Sequence, residues 1–264
     1  MFHIRQAAFP TKPGDNRSQI TSHAFDYTPG HAIPMHFHDR DQLVYAACGV
    51  MTVSTSDGTW IVPAHRAVWI PARKPHKIAM SGVVAMRTLY LRQGTAKTLP
   101  RECCVVNVPP LLKDLILHAC ELRFLSRRNK RQRHVLDLIV DQLETIQMVT
   151  LRLPNPLDER ARRVAELLLA DPGDRRPLKH FCRLAGASKR NIERLFLKDV
   201  GMSLGRWRQQ SRLTHALQLL AQGVTVTNAA LDSGYSTPSS FISMFRKVLG
   251  TTPARYFKTG TSGN

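Results

Sequence analysis

Ala185-Gly186-Ala187-Ser188 recurs 48 residues further along the chain as Ser233-Gly234-Tyr235-Ser236. Each copy is followed by similarly spaced apolar residues and by a closing glycine, Gly201 in the first copy and Gly250 in the second. Self-similarity at a fixed spacing indicates one supersecondary unit that is used more than once. The sequence therefore predicts two successive copies of one helical unit in the C-terminal third of the chain.

Each copy has the pattern of a short helix, a tight turn and a second helix. In the first copy, Gly186 can adopt the positive φ that ends a helix, and the Ser188 hydroxyl can accept a backbone N–H at the start of the next helix. Apolar residues then share one face of that second helix and charged residues occupy the rest. The apolar residues are Ile192, Leu195 and Phe196, and the charged residues are Lys189, Arg190, Glu193, Arg194 and Lys198.

A single copy of this pattern has a second explanation, an ordinary αα-hairpin with a solvated charged face, because short helical motifs are degenerate. Two copies on either side of one long helix disfavour that explanation. At ~1.5 Å per residue, the apolar-periodic stretch 204–220 would form a rod of roughly 26 Å. This length is near the ~34 Å turn of B-DNA, so two recognition helices could enter successive major-groove segments.

The repeat matches the pattern of a known family along most of its length. The matching stretches run from Phe181 to Ser188, from Asn228 to Ser236, from Phe241 to Lys247 and from Gly250 to Tyr256. They resemble the DNA-binding domain of AraC/XylS-type transcriptional regulators, in which two helix-turn-helix units are joined by a long helix. The resemblance implies binding to double-stranded promoter or operator DNA, and contact with RNA polymerase if the protein is an activator. Asn228 departs from the family, since an acidic residue often completes a capping box there.

The resemblance also assigns the DNA-contacting residues of both units. The complete set is Ser188, Lys189, Arg190, Glu193, Arg194, Lys198, Thr237, Pro238, Ser239, Ser240, Ser243, Arg246 and Lys247. Within this set, the base-contacting positions are Arg190, Glu193 and Arg194 in the first unit and Pro238, Ser239, Ser240 and Ser243 in the second.

The two units differ in the chemistry that they offer to bases. Arginine can pair bidentately with guanine and glutamate can accept from cytosine, whereas serine discriminates weakly and proline has no side-chain donor. We therefore expect the first unit to carry most of the sequence discrimination. The second unit would mainly position the protein on the phosphate backbone through Arg246 and Lys247.

Charge supports a nucleic-acid partner. The 264 residues include 38 Lys and Arg against 19 Asp and Glu, for a formal net charge of +19. The excess is heaviest in the repeat region, where 18 basic residues stand against eight acidic residues from Pro154 onward. Such a field attracts phosphate and makes affinity fall with salt. No basic amphipathic helix with aromatic anchors stands out, which disfavours binding to a membrane surface.

The remaining composition favours a cytoplasmic protein. No apolar run approaches the ~18 residues of a membrane span, and the first residues have no signal-peptide pattern. The five cysteines are scattered, except for the adjacent Cys103 and Cys104, as is typical of a reducing compartment. That pair has ordinary packing or redox sensing as its explanation, and ordinary packing is favoured.

The N-terminal part has the pattern of β structure. Runs rich in β-formers cover 43–46, 50–55, 59–62, 68–70 and 83–91, and Asp57-Gly58 is a hairpin signal. Short strands at short spacing predict a small barrel.

Two stretches resemble the two cupin motifs. The first comprises Gly30, His36, His38, Gln42 and Gly49, with Gln42 where Glu is usual; the second comprises Pro71, Arg73 and His76, with Arg73 where Gly is usual, and Met80 follows where Asn is frequent.

The cupin-like histidines are candidate metal ligands. His36 and His38 alternate by two on a predicted strand, so both can face one side and converge with His76 on a divalent transition metal. The amide oxygen of Gln42 would be a poorer fourth ligand than a carboxylate. The alternative is that these four residues line an effector pocket or are hydrogen-bonded inside the barrel.

The sequence predicts an α+β multidomain protein in three parts. These are a cupin-like β-barrel sensor at residues 1–108, a helical connector at 109–153, and an all-α tandem helix-turn-helix domain at 154–264. The connector helices would either form a homodimer interface or close the barrel. We expect a transcriptional regulator without catalytic residues, in which a small-molecule effector binds the barrel and changes DNA occupancy.

Two alternatives to this function remain open at the level of sequence. In the first, the barrel of a DNA-binding regulator serves only dimerisation. In the second, a metal-dependent cupin enzyme carries an accessory DNA-binding tail; a fold alone does not imply its chemistry, so this is the less favoured alternative.

Overall fold

The computed structural model describes residues 5–6, 18–149 and 151–258 of the chain. They divide into two compact units, with the main division between Arg152 and Leu153. From here on, the first and second units are these two parts of the chain, and the two copies of the repeat are called helix pairs. The short segment Asp57–Thr59 groups with the second unit. The first unit is built around a β-sheet and the second around helices, which confirms the predicted α+β multidomain class.

Eleven strands form the sheet among the described residues. They are β1 (Arg5–Gln6), β2 (Ile20–Tyr27), β3 (Ala32–Phe37), β4 (Asp41–Thr55), β5 (Gly58–Pro63), β6 (Arg66–Ile70), β7 (His76–Leu91), β8 (Cys104–Asn107), β9 (Phe124–Leu125), β10 (Met148–Val149) and β11 (Arg152–Pro154). The main path of hydrogen-bonded neighbours is β1-β3-β7-β4-β6-β8-β10.

One part of the barrel prediction needs correction. The β-rich character of the first unit is confirmed, but the sheet of the described strands is open and runs from β1 to β10. Both of these edge strands are only two residues long. Closure of a barrel needs paired edges, and so short an edge offers few backbone groups for that pairing.

The two longest strands, β4 and β7, bend together. The sequence predicted separate strands at 43–46 and 50–55, but the structure has one strand with register shifts between Ala46 and Val50. Gly49 lies at this irregularity with a φ of 76°, and an added Cβ would lie 2.3 Å from the carbonyl oxygen of Val83. Only glycine fits there, because a side chain would collide with the partner strand.

Strand β7 separates the two faces of the sheet. Its even-numbered residues, from His76 to Tyr90, are all buried on one side, which we call the inner face. On the opposite face, Leu89 and Leu91 join an apolar core with Ile20 and with helices α1 (Pro110–Leu122) and α2 (Lys130–Glu144). The predicted connector helices therefore cover the outer face of the sheet.

The second unit reproduces the repeat as two matched helix pairs. Its helices are α3 (Glu159–Ala170), α4 (Leu178–Leu184), α5 (Lys189–Val200), α6 (Leu204–Ala221), α7 (Val226–Asp232), α8 (Pro238–Leu249) and α9 (Pro253–Lys258). The first helices of the two pairs, α4 and α7, have seven residues each, and the second helices, α5 and α8, have twelve each. Across the described ranges, no helix is both long and apolar enough to cross a membrane.

The same local signals shape both pairs. Ser188 caps α5 by accepting the N–H of Asn191 at 3.2 Å, and Thr237 caps α8 by accepting the N–H of Ser240 at 3.2 Å. Both helices end at a glycine in the left-handed conformation, at Gly201 and Gly250, because residues with a Cβ resist that conformation. The helix boundaries of the second unit are thus determined largely by local sequence signals.

Candidate DNA-binding surface and histidine cluster

Helix α5 presents a charged outer surface. Ile192 and Phe196 are fully buried and Leu195 nearly so, which turns Arg190, Arg194 and Lys198 outward as exposed side chains. Arg190 and Arg194 are thus placed to reach base edges or phosphates. The structure therefore leaves the predicted contact residues of α5 accessible.

Two internal contacts order part of this surface. The Lys189 ammonium lies 3.4 Å from the Glu193 carboxylate, and Arg194 donates to the side-chain oxygen of Asn191 at 3.0 Å. Both pairs are solvent-exposed and worth little to stability. They hold two predicted base-contacting side chains, Glu193 and Arg194, along the helix until DNA competes for them.

Helix α8 offers a different outer surface. Phe241, Phe245 and Leu249 are buried, and the exposed side is made of Ser239, Ser240, Ser243, Arg246 and Lys247. The hydroxyl of Ser240 already donates to the carbonyl oxygen of Thr237 at 2.7 Å, so its proton is occupied within the helix. Charged donors stand only in the last turn, which matches a backbone-positioning role better than base readout.

A loop connects the two helix pairs through α6, a feature that sequence reasoning missed. Residues 171–176 lie between α3 and α4, and two arginines of α6 donate to their carbonyl oxygens. Arg212 donates to Pro172 at 3.2 Å and to Asp174 at 2.8 Å. Arg208 donates to the carbonyl oxygens of Arg176, at 2.9 Å, and of Asp174. The loop of the first pair is therefore held by the helix that precedes the second pair.

The same loop also touches the turn of the second pair. An added Cβ on Gly173 would lie 2.2 Å from the carbonyl oxygen of Asp232, and an added Cβ on Gly234 would lie 2.8 Å from the Arg212 guanidinium. Arg175 donates to the carbonyl oxygen of Tyr235 at 3.4 Å. These contacts join residues about 20 to 60 positions apart, and they tie the loop at 171–176 and α6 to the turn between α7 and α8.

Three histidines meet on the inner face of the sheet. His36 lies opposite His76 where β3 pairs with β7, and His38 follows one residue after the end of β3. Ring nitrogens of the three side chains lie within 4.8 Å of one another. All three residues are buried, at 6%, 5% and 1% exposure for His36, His38 and His76. We call these three residues the histidine cluster.

The surroundings leave the cluster uncharged and leave a lone pair on Nε2 of His36 and of His76. Nδ1 of His36 lies 2.7 Å from the carbonyl oxygen of Pro34, and Nδ1 of His76 lies 2.9 Å from that of Lys74. Since a carbonyl can only accept, each Nδ1 carries the proton and each Nε2 keeps its lone pair. Burial lowers the pKa of His36, lowers that of His38 to about 3 and lowers that of His76 to about 4.

Gln42 lies on the same face as the cluster. It pairs in register with Tyr90, whose ring centroid is 4.9 Å from that of His38. Its amide nitrogen donates to the Thr88 hydroxyl at 3.1 Å, while its Oε1 accepts no hydrogen bond from any described residue. With Gln42 only 2% exposed, a buried acceptor of this kind is costly unless a ligand satisfies it.

Known proteins resemble both parts of the chain. A family model described as a helix-turn-helix domain matches residues 181–259. The HTH-type transcriptional regulator NimR of Escherichia coli (strain K12) is 33% identical over 223 residues, which are 84% of this chain and 81% of NimR. The chain belongs to the AraC family.

Further relatives of this AraC-family protein include the HTH-type transcriptional regulator RipA of Corynebacterium glutamicum, which is 36% identical over 110 residues, or 42% of this chain and 33% of RipA. Among solved structures, ToxT from Vibrio cholerae is 10% identical and has a TM-score of 0.40 over 93% of this chain and 99% of that chain. The AraC-family chain is a DNA-binding transcriptional regulator with a β-rich N-terminal unit and a helical DNA-binding unit.

The sequence patterns predicted residues of both candidate sites but not the residues that support them. The predicted contact residues of α5 and α8 lie on exposed helix surfaces, with Pro238 and Glu193 half-buried. The three predicted histidines come together, and Gln42 shares their face. Sequence reasoning missed Gly173, Arg208 and Arg212, for which a glycine in a charged loop was the only local signal.

Proposed function

We propose that this AraC-family regulator binds a small-molecule effector on the inner face of its sheet and that the bound effector changes its occupancy of operator DNA. The observation that supports this proposal is a neutral polar group of side chains inside an apolar wall: three buried imidazoles together with the unsatisfied Oε1 of Gln42. Few polar groups placed in a mostly apolar concave site are typical of small-molecule pockets. An effector shifts DNA occupancy only by binding one arrangement of the protein better than another.

We infer that α5 carries most of the base discrimination and that α8 mainly positions the protein. Exposed Arg190 and Arg194 can each reach guanine bidentately, for about 1–3 kcal/mol of discrimination per pair. The exposed serines of α8 give weaker discrimination, and Arg246 and Lys247 supply phosphate contacts. The operator would therefore show stronger sequence preference in the half that α5 contacts.

The histidine cluster fits a divalent transition metal. Three neutral imidazoles with buried ring nitrogens suit Zn²⁺, Ni²⁺, Cu²⁺ or Fe²⁺, and His36, His38 and His76 would hold the ion with Gln42 as a weaker fourth ligand. A bound ion would supply a Lewis-acidic contact for an oxygen or nitrogen of the effector. Metal analysis of protein purified without a His tag, with His76→Ala as the control variant, tests this part. Equal metal content in both proteins would mean that the cluster lines a pocket without metal.

The chain would work in three parts. Residues 1–108 would sense the effector, 109–153 would connect, and 154–264 would read DNA. A transcriptional regulator acts where the chromosome lies, so we place it in the cytoplasm, with RNA polymerase as a further partner if it activates transcription. No catalytic role is assigned to any residue.

A second candidate function is dimerisation through the connector without effector binding. Leu111 of α1 and Leu138 of α2 are 51% and 45% exposed, so a homodimer contact on these helices would bury them. Leu111→Lys and Leu138→Lys separate the candidates, since only a dimer contact predicts a halved mass in sedimentation with a loss of operator affinity.

Genome-wide mapping of bound promoters tests the central proposal. The mapped promoters give an operator, and operator affinity is then measured with and without extracts and candidate metabolites of the neighbouring genes. Wild type is compared with His38→Ala and with Arg194→Ala. The proposal expects His38→Ala to bind the operator but to lose the effector response, and Arg194→Ala to lose sequence preference. A metabolite response that His38→Ala retains in full would contradict the effector site.

A further inference from the structure

Four aromatic side chains form a continuous row along β2 and the turn that follows it. Ring centroids are separated by 5.8 Å from His23 to Phe25, by 6.0 Å from Phe25 to Tyr27 and by 4.6 Å from Tyr27 to His31. Successive ring planes differ by only 24°, 31° and 22°. We call these four residues the aromatic row, and its rings make a nearly parallel series.

Strand register places the row on the inner face, beside the histidine cluster. In the antiparallel pair of β2 and β7, His23 lies opposite Thr88 and Phe25 lies opposite Met86. Residues that face each other across an antiparallel pair point to the same side of a sheet, and Thr88 and Met86 belong to the buried even-numbered side of β7. The row is therefore a wall of the proposed effector site.

Tyr90 joins the row to the cluster. Its ring centroid is 6.0 Å from that of His23 and 4.9 Å from that of His38. Aromatic rings thus run without a break from the buried imidazoles at one end to the exposed His31 at the other. The polar end is closed and buried, whereas the aromatic wall opens toward solvent.

The exposure of the row does not fit a role in the apolar core. Phe25 is 37% exposed, although Val84 and Met86 on the same face are 0% and 2% exposed. A partly exposed aromatic wall with a few polar groups at one end is the lining expected of a pocket for an organic ligand. Parallel rings favour offset stacking with another flat ring.

The chemistry of the side chains limits the charge of the ligand. The row and the cluster contain no Asp, Glu, Lys or Arg side chain. Arg123 belongs to neither set, although burial and then its charge lower the pKa of His23. The nearby Arg87–Asp26 ion pair, at 2.9 Å, uses residues that alternate with the row and so belong to the outer face. Without a bound ion, the acceptors available at the closed end are the Oε1 of Gln42 and the lone pair on Nε2 of His76, and each suits a ligand O–H or N–H.

We propose that the aromatic row and the histidine cluster together bind an uncharged, planar aromatic or heteroaromatic molecule that carries a hydroxyl or N–H group on one edge. The flat ring stacks against Phe25 and Tyr27, and the polar edge donates to Gln42 or to His76. This inference rests on the proposed effector function, for which it names the ligand class.

Two probes of the same skeleton test the ligand class. 2-Naphthol and decahydro-2-naphthol share a bicyclic frame and one hydroxyl, but only 2-naphthol is flat and aromatic. Their affinities for the full chain are measured by titration calorimetry. We expect 2-naphthol to bind at least about tenfold more tightly than the saturated probe, since stacking contributes about two- to tenfold per aromatic contact.

The variants Phe25→Leu and Tyr27→Leu keep apolar bulk and remove the ring. Each should reduce the preference for 2-naphthol about two- to tenfold, while Phe257→Leu, which changes a half-buried Phe of the second unit, should leave it unchanged. Thermal unfolding of each variant checks that the fold is retained. Equal affinity for both probes, or an unchanged preference in both row variants, would overturn the inference.

A separate measurement tests the effector function on which the inference rests. Operator affinity is measured at saturating 2-naphthol. If the aromatic preference is present but operator affinity does not change, the link from ligand to DNA fails while the ligand class holds. If operator affinity responds to the saturated probe as strongly as to 2-naphthol, the link holds and the ligand class fails.

Discussion

Replacing Gly173 by alanine should loosen the connection between the two helix pairs of the DNA-binding unit. The added Cβ would lie 2.2 Å from the carbonyl oxygen of Asp232 and 3.3 Å from its carbonyl carbon. Both are backbone atoms, so no flexible side chain can move aside. The loop at 171–176 must instead shift by roughly 1 Å to restore ordinary packing distances, and forced overpacking of this kind costs about 1–3 kcal/mol.

That shift also disturbs the hydrogen bonds of the loop. Arg212 donates to the carbonyl oxygen of Asp174 at 2.8 Å, and Arg175 donates to that of Tyr235 at 3.4 Å. A hydrogen bond from a charged group contributes about 1.5–3 kcal/mol, and the loop can relax enough to retain part of it. We therefore expect Gly173→Ala to lower the free energy of unfolding of the second unit by about 2–4 kcal/mol.

Urea unfolding in a background in which Trp60 and Trp69 are replaced by phenylalanine, followed by the fluorescence of Trp207, measures this change in the second unit. Gly205→Ala is the matched control, because Gly205 lies in α6 and an added Cβ there meets nothing within 4 Å. It should be neutral or stabilising by up to about 1 kcal/mol, since alanine favours helix more than glycine does. A surface substitution usually changes the free energy of unfolding by no more than about 0.5 kcal/mol. If the change for Gly173→Ala is that small, the loop does not hold the two pairs together.

Three further predictions follow from the second unit. Arg194→Ala should relax base preference at one operator position at a cost of about 1–3 kcal/mol of binding free energy. Lys247→Ala should weaken the affinity for specific and random DNA alike and reduce the salt slope of binding by about one. Parallel losses for both variants in a binding selection would contradict this division of roles. Trp207→Phe removes a buried donor that bonds the carbonyl oxygen of Pro154 at 2.9 Å, so it should lower the free energy of unfolding by about 1–3 kcal/mol, as read by calorimetry against the surface control Lys198→Ala. The Arg176 side chain lowers the pKa of Asp174 to about 2. This carboxylate therefore stabilises the fold above its unfolded pKa, and its contribution disappears as the pH falls from about 4 toward 2. Asp174→Asn should flatten the acid limb of a curve of stability against pH, and an unaltered limb would argue against the ion pair.

The cupin-like half shows how far a sequence pattern reaches into a site. The spacing of His36, His38 and His76 indicated one convergent group, because residues two apart on a strand face the same side, and the structure brings their rings together. The pattern did not indicate the aromatic row. Which residues of β2 join that face depends on the register of β2 against β7, and a shift by one residue would turn Phe25 and Tyr27 to the opposite side.

The open sheet has a similar cause. The alternating pattern predicted strands, and the structure has them, but the pattern carries no information on whether the first and last strands meet. The sequence also predicted two strands where the structure has the single strand β4. Gly49, with its positive φ and its close approach to Val83, lies at the irregularity between the two predicted strands.

The sequence by itself determined the helical unit, its duplication and its outward-facing residues. Capping serines and threonines, closing glycines and apolar residues at helical spacing act within a few positions of one another, so a linear pattern contains them. Only the tertiary structure decided how the two pairs are joined, since Arg212 meets Pro172 across 40 positions. Gly173 fits against Asp232 for the same reason: two distant backbone segments approach closely, and no local pattern encodes that approach.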